Sequence, residues 1–170
     1  SFGTEKITVL YQAKYGVKWL GTQGGGLCSA QKLKSGEFRF TRYITDPRQA
    51  NSISSNDILS ILEDPQHNLW IGTQNGLNEL DKQRKKFKSY LASKNDKNSL
   101  NNNMIHSILC DRTGLIWLAT DLGLNILDPA SDKFWHVLSD PAKYNSLSGD
   151  LLRCIYADKS GTIWLGTYCA

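Results

Sequence analysis

Four tryptophans recur at near-equal intervals, and each opens the same kind of tetrapeptide: Trp19 in WLGT, Trp70 in WIGT, Trp117 in WLAT and Trp164 in WLGT. Their separations are 51, 47 and 47 residues. Other positions keep step. An Asp stands six before the Trp in three copies, Asp64, Asp111 and Asp158, with Ala13 in the first. Three before the Trp stand Gly16, Gly114 and Gly161, with His67 in the second copy. The Leu of a Gly-Leu pair follows at Leu77 and Leu124, and at Leu27 after one extra glycine. Phe38, Phe87 and Phe134, then Asn-Ser pairs at Asn51, Asn98 and Asn145, complete the unit. Agreement at this many positions marks a repeated supersecondary unit that buries its apolar surface against its neighbours.

Each unit reads as four strands. In the third, residues 104–110 form a short apolar run, as in a strand buried on both faces. Asp111 to Gly114 is a turn in which Asp bonds downstream backbone and Gly takes a left-handed conformation. Residues 116–120 form a second strand, 124–127 an alternating third, and 134–138 a fourth. Four antiparallel strands in about 47 residues fit one blade of a β-propeller, and no helical period of useful length competes. The fold expected is all-β: a propeller segment of about three and a half blades, at 7–43, 58–90, 105–137 and 152–167. Strand periodicity puts each Trp on the face shared by the residue two later, Gly21, Gly72, Ala119 or Gly166. A large indole beside a small residue makes a bump and a hole for face-to-face stacking. Leu20, Ile71, Leu118 and Leu165 point the other way. Closed propellers need about 4–8 blades, so this run is expected to leave the ring incomplete. The flat faces of its first and last blades are expected to favour self-association.

Composition excludes other classes. With 40% hydrophobic and 21% charged residues the chain is neither disordered nor collagen-like. A net charge of +4, spread along the chain, reads as a solvated surface. The basic run 82–86 (KQRKK) falls in a loop between strands and reads as a solvated hairpin tip, with no aromatic interleaving for nucleic acid. Cys28, Cys110, Cys154 and Cys169 form no zinc-spaced cluster and read as free thiols; no metal or cofactor is expected. Gly24 to Gly26 lacks the Lys-Ser/Thr and helix of a phosphate loop and reads as a turn.

Asp64, Asp111 and Asp158 recur in every copy but the first, which suits a structural turn rather than a catalytic site. The three histidines occupy unrelated repeat positions. His106 lies on a first strand near the expected axis, within reach of a ligand. The residues just after each WxxT string vary: Gln23, Gln74, Asp121 and Tyr168. They fall in loops that emerge on the same face as the linkers between blades. Variable loop residues on a fixed scaffold are how binding surfaces are built.

The strings DPQHNLWIGTQNGLNELD and DRTGLIWLATDLGLNILD resemble the two-component regulator propeller repeat. The resemblance covers almost the whole chain. Ala13, Ala119 and Cys28 are its departures. It implies a periplasmic sensor region of a bacterial two-component system, acting without catalysis of its own. The partners implied are further propeller blades and a downstream signalling output such as a histidine kinase, and the implied ligand is a sugar or oligosaccharide. A propeller used as a protein-interaction scaffold is the alternative. A propeller lyase or glycosidase is disfavoured for want of paired carboxylates outside the repeated turns.

Overall fold

The computed structural model describes residues 5–84 and 86–168, so Lys85 of the basic run and Cys169 lie outside the description. Among the described residues there are strands and no helix. The first sheet is β1 (Ile7–Gln12), β2 (Lys18–Thr22), β3 (Leu27–Lys32) and β4 (Phe38–Tyr43). The second is β5 (Ile58–Glu63), β6 (Leu69–Thr73), β7 (Gly76–Leu80) and β8 (Phe87–Tyr90). The third is β9 (Ile105–Cys110), β10 (Ile116–Thr120), β11 (Gly123–Asp128) and β12 (Lys133–Val137). A two-stranded sheet, β13 (Leu152–Ala157) with β14 (Ile163–Thr167), follows. Each is an antiparallel meander whose spatial order is its sequence order. Successive sheets meet through their first strands, β1 with β5, β5 with β9 and β9 with β13. The first strands therefore converge on an axis and the sheets radiate from it as propeller blades, with the ring left open.

The tryptophan pattern is the packing pattern. Trp19 packs with Ile58, Ile71 and Phe87 of the second sheet, and Trp70 with Ile105, Leu118 and Phe134 of the third. Trp117 lies against the core formed with Leu152 and Ile155 of the fourth. Trp19 and Trp70 are 1% and 0% exposed, whereas Trp164, over which no further sheet lies among the described residues, is 60% exposed. Two rings that sequence patterning did not single out extend each indole across the interface. Trp19 meets Tyr43, which meets Phe87 edge-on at 5.6 Å. Trp70 meets Tyr90, which meets Phe134 at 5.8 Å. Val137 takes the tyrosine's place in the third sheet.

The small residue after each Trp leaves room for the first strand of its own sheet and, where one follows, for the next sheet. A Cβ on Gly21 would stand 2.6 Å from Ile58 Cγ2, and one on Gly72 would stand 2.8 Å from Ile105 Cγ2. Ala119 instead faces Leu152. Leucine carries no branch at Cβ, which leaves room for the extra methyl.

The repeated Asp ties its turn to the indole. Asp111 accepts from the Thr113 and Leu115 amides, the Thr113 hydroxyl and, at 2.8 Å, Trp117 Nε1. Asp64 accepts from the Asn68 amide and from Trp70 Nε1 at 2.9 Å, and Asp158 accepts from Trp164 Nε1 at 3.0 Å. Burial pushes the Asp111 carboxyl up, but the Thr113 hydroxyl, the indole and the amides together hold it below its ordinary value. The Ser160 hydroxyl, then the Trp164 indole, bring Asp158 to about 2. His67 adopts φ 69° where the sister turns use glycine. The neighbouring Asn68 side chain helps close that turn by donating to Asp64 at 3.3 Å.

The basic run departs from its expected solvated state at one residue. Arg84 is folded inward, paired to Glu63 at 2.9 Å and laid over the Trp19 ring at 5.3 Å from its centre. The side chain of Glu63 is only 6% exposed, and a buried carboxylate requires such a partner. Cys28, Cys110 and Cys154 are free thiols.

Candidate functional site

The site is built by a repeated irregularity. Every first strand carries a register shift near its start: between Ile7 and Val9, Ile58 and Ser60, Ile105 and Ser107, and Leu152 and Cys154. A bulge inserts one residue and re-aims its side chain. The inserted residues are Thr8, Leu59, His106 and Arg153, all eleven before their Trp. They lie on the axial strands, beside the loops that follow the second strands.

Those loops share an end of the propeller with the linkers. Gly26 donates to Asn56 O, Gly76 to Asn103 O and Gly123 to Asp150 O, so each turn is hydrogen-bonded to the linker into the next sheet. Two fully buried asparagines hold the linkers from the other side. Asn78 accepts from the Ser54 amide, and Asn125 accepts from the Asn101 amide and donates to its side chain at 2.7 Å. Cys28 occupies the equivalent place in the first sheet.

On this end the third and fourth sheets bring four side chains together. Asp121 Oδ1 lies 2.8 Å from His106 Nε2 and accepts from Arg153 Nη1 at 2.9 Å. Arg153 also meets the His106 ring. Its guanidinium lies 5.5 Å from the centre of the Tyr168 ring, the range of a cation–π contact. His106 is the most enclosed, with 16% of its side chain exposed, while Asp121 and Arg153 keep 31% and 41% in solvent. Tyr168 is exposed. An anion, a cation, an imidazole and an aromatic face thus converge on one accessible surface. Such a set can hydrogen-bond a polyhydroxylated ligand and stack against its apolar face.

Of the residues singled out in the sequence, His106, Asp121 and Tyr168 fall in this cluster. Gln23 and Gln74 take the corresponding loop positions of the first and second sheets, both exposed, on the same end of the propeller but outside the four-residue cluster. Arg153, which joins the other three, was missed. Its signal was present: it shares the repeat position of His106, where otherwise apolar strands carry Thr, Leu, His and Arg in turn. Among the described residues no group of His, Cys, Asp and Glu has the arrangement to hold a metal.

Comparisons agree with this architecture. Residues 52–75, 99–121 and 146–169 match the two-component regulator propeller family. The first sheet, which departs from the pattern at Ala13 and carries the extra glycine, lies outside the matched segments. No curated protein matches the chain. A solved structure from B. thetaiotaomicron, described as the extracellular domain of the hybrid two-component system BT4673, is 26% identical with TM-score 0.73, covering 95% of this chain and 20% of that one. The extracellular domain of the hybrid two-component system BT3049 from the same organism is 22% identical with TM-score 0.78, covering 98% and 22%. PorZ, a surface component of the type-IX secretion system of Porphyromonas gingivalis, shares the fold at 13% identity and TM-score 0.74, covering 95% and 25%. The chain thus spans about a fifth to a quarter of the length of these structures. The second, third and fourth sheets are thus similar, through the segments matched, to the two-component regulator propeller family.

Proposed function

We propose that this chain is part of an extracytoplasmic, periplasmic ligand-sensing propeller of a bacterial two-component signalling protein, that it binds a carbohydrate and that it carries out no catalysis. The observation that carries the reading is the axial cluster. The inserted residues of successive first strands and the loop residues beside them place His106, Asp121, Arg153 and Tyr168 on one open surface. Gln23 and Gln74 extend that surface around the axis as polar contacts on the earlier sheets. Similarity to extracellular domains described as parts of two-component systems supports the same role. The exposed face of the last sheet, with Trp164 and Tyr156 60% and 64% accessible, is a docking face for a further blade of the same kind. Without such a blade it becomes a surface for a second copy. A ligand that prefers one packing of blades or subunits over another shifts that equilibrium, which is how binding becomes a signal. The downstream output, such as a histidine kinase, reads that shift.

Isothermal calorimetry of the chain against a panel of oligosaccharides tests the reading. Saturable heat with one class of sugar, lost in R153A and D121A and unaccompanied by product, supports it. Turnover of any sugar points to an enzyme. Silence across the panel, with a protein partner recovered on the same face, points to the scaffold.

A further inference from the structure

The cleft between the first and second sheets lacks a carboxylate that the other blades have. The first turn has the same backbone as its sisters: Ala13 N–H donates to Val17 O at 2.9 Å and Gly16 N–H to Ala13 O at 3.0 Å. The same pair of bonds closes the turns at Asp64, Asp111 and Asp158. In those turns an aspartate projects from the first position and receives the indole N–H. Here a methyl group projects instead, and Trp19 Nε1, fully buried, has no acceptor. His67 Nδ1 is the second buried side-chain polar atom without a hydrogen bond among the described residues. Glu63 Oε1, at 3.6 Å from it, is too far to serve. Both orphaned atoms belong to side chains that wall one cleft of 270 Å³. Buried polar groups in native proteins nearly always find partners, so two in one cleft point to something that is bound there.

We propose that this cleft binds a small carboxylate, whose oxygens take the place of the missing aspartate side chain. Trp19 Nε1 donates to one oxygen, and His67 Nδ1 supplies a second hydrogen bond. The charge around the cleft agrees. Arg39, Lys82 and Arg84 line it against the single carboxylate of Glu63, which already receives Arg84 and the Lys14 amide at 2.8 Å. The cleft holds a molecule of several heavy atoms, since a water occupies about 30 Å³ of liquid. Tyr15, three-quarters exposed, stands at its outer wall and packs against His67 with the rings tilted at 54° and their centres 5.2 Å apart. Its displacement opens a path from the cleft to the two nitrogens, each of which is shut off from solvent. This site lies apart from the axial cluster and stands or falls independently of sugar sensing there.

Nitrogen–proton correlation spectra of the chain resolve the tryptophan indole signals and test the proposal with sodium acetate as the probe. Sodium chloride at matched ionic strength and neutral glucose serve as references. The expected result is a saturable downfield movement of the Trp19 indole signal with acetate alone, while the Trp70 and Trp117 signals, already bonded to aspartates, stay in place. Ala13→Asp is expected to move the Trp19 signal downfield without ligand and to abolish the acetate response. Arg39→Gln, which leaves the turn untouched, is expected to raise the acetate concentration at half-saturation several-fold. A Trp19 signal that acetate moves no more than chloride does, or that glucose moves equally, overturns the proposal. So does an acetate response undiminished in Ala13→Asp.

Discussion

Adding one methyl group at Gly72 tests whether sheet spacing is set by the residue two after each Trp. The backbone there permits alanine, so any cost comes from contact. A Cβ at this position first meets Ser60 Oγ of its own sheet, a hydroxyl that rotation about χ1 can move aside, and then stands 2.7 Å from Ile105 O and 2.8 Å from Ile105 Cγ2, where ordinary contact begins at 3.4 Å. The second and third sheets must therefore part locally by roughly 0.6–0.7 Å, and a gap of that size forfeits about a quarter to a half of the dispersion well for the atoms along it. Overpacking of this kind costs about 1–3 kcal/mol. The smaller entropy of the unfolded alanine chain offsets about 0.4–1 kcal/mol, so packing wins. A net loss of about 1–2 kcal/mol is expected for Gly72→Ala, seen as a urea midpoint lowered by roughly 0.5–1 M in tryptophan fluorescence. The third sheet already shows the remedy, with Ala119 facing Leu152. Ile105→Leu should therefore recover part of the loss in the Gly72→Ala background, with a coupling of at least about 0.5 kcal/mol in the double-mutant cycle. Gly149→Ala, where a Cβ meets nothing within 4 Å, is the control and should be neutral or slightly stabilising. A Gly72→Ala protein as stable as this control, or strictly additive effects in the cycle, would refute the bump-and-hole account.

Other consequences are as open to measurement. Asp111 and Asp158 have folded values below the ordinary carboxylate value, so their contribution is fully present above the unfolded value of about 3.9 and is lost as pH falls toward the folded one, about 2 for Asp158. Urea midpoints should drop between pH 4 and pH 2, and Asp111→Asn should flatten that drop; an unchanged pH profile in the variant removes the carboxylate from the account. Burial, then Asp64 and Asp111, push the Cys110 thiol up to about 11, so maleimide should label exposed Cys154 well before Cys110 in the native protein. Equal rates would mean that β9 is not packed as described. Arg153→Ala removes a charged hydrogen bond of about 1.5–3 kcal/mol and should weaken sugar binding roughly 10–100-fold in calorimetry. Full affinity in that variant moves the binding surface elsewhere.

Much of the fold was legible because a repeat reports the same environment several times. Each indole is answered by a small residue two positions on, and each Asp stands where the indole nitrogen needs it, so face, strand and turn could be assigned from spacing. The site was only partly legible. Asp121 and Tyr168 showed themselves as variable loop positions, and His106 as a polar residue on an axial strand. Arg153 shares the repeat position of His106, but only the bulge in each first strand turns that position toward the loop residues. Equally hidden was the fate of Arg84, which reads as one more lysine-rich loop residue until Glu63 and Trp19 are seen beneath it.

The chain's own order of residues therefore determined the blade, its strand count and the faces it stacks on, since these follow from local periodicity and recur every 47 to 51 residues. Only the tertiary structure decided which side chains from different blades meet. His106 and Arg153 are 47 residues apart in sequence yet share Asp121, and Ala13 is an ordinary substitution until the Trp19 nitrogen is found with no acceptor. The physical reason is that contacts between radiating sheets depend on bulges, on inter-sheet distance and on what the neighbour lacks, and none of these is written within a single repeat.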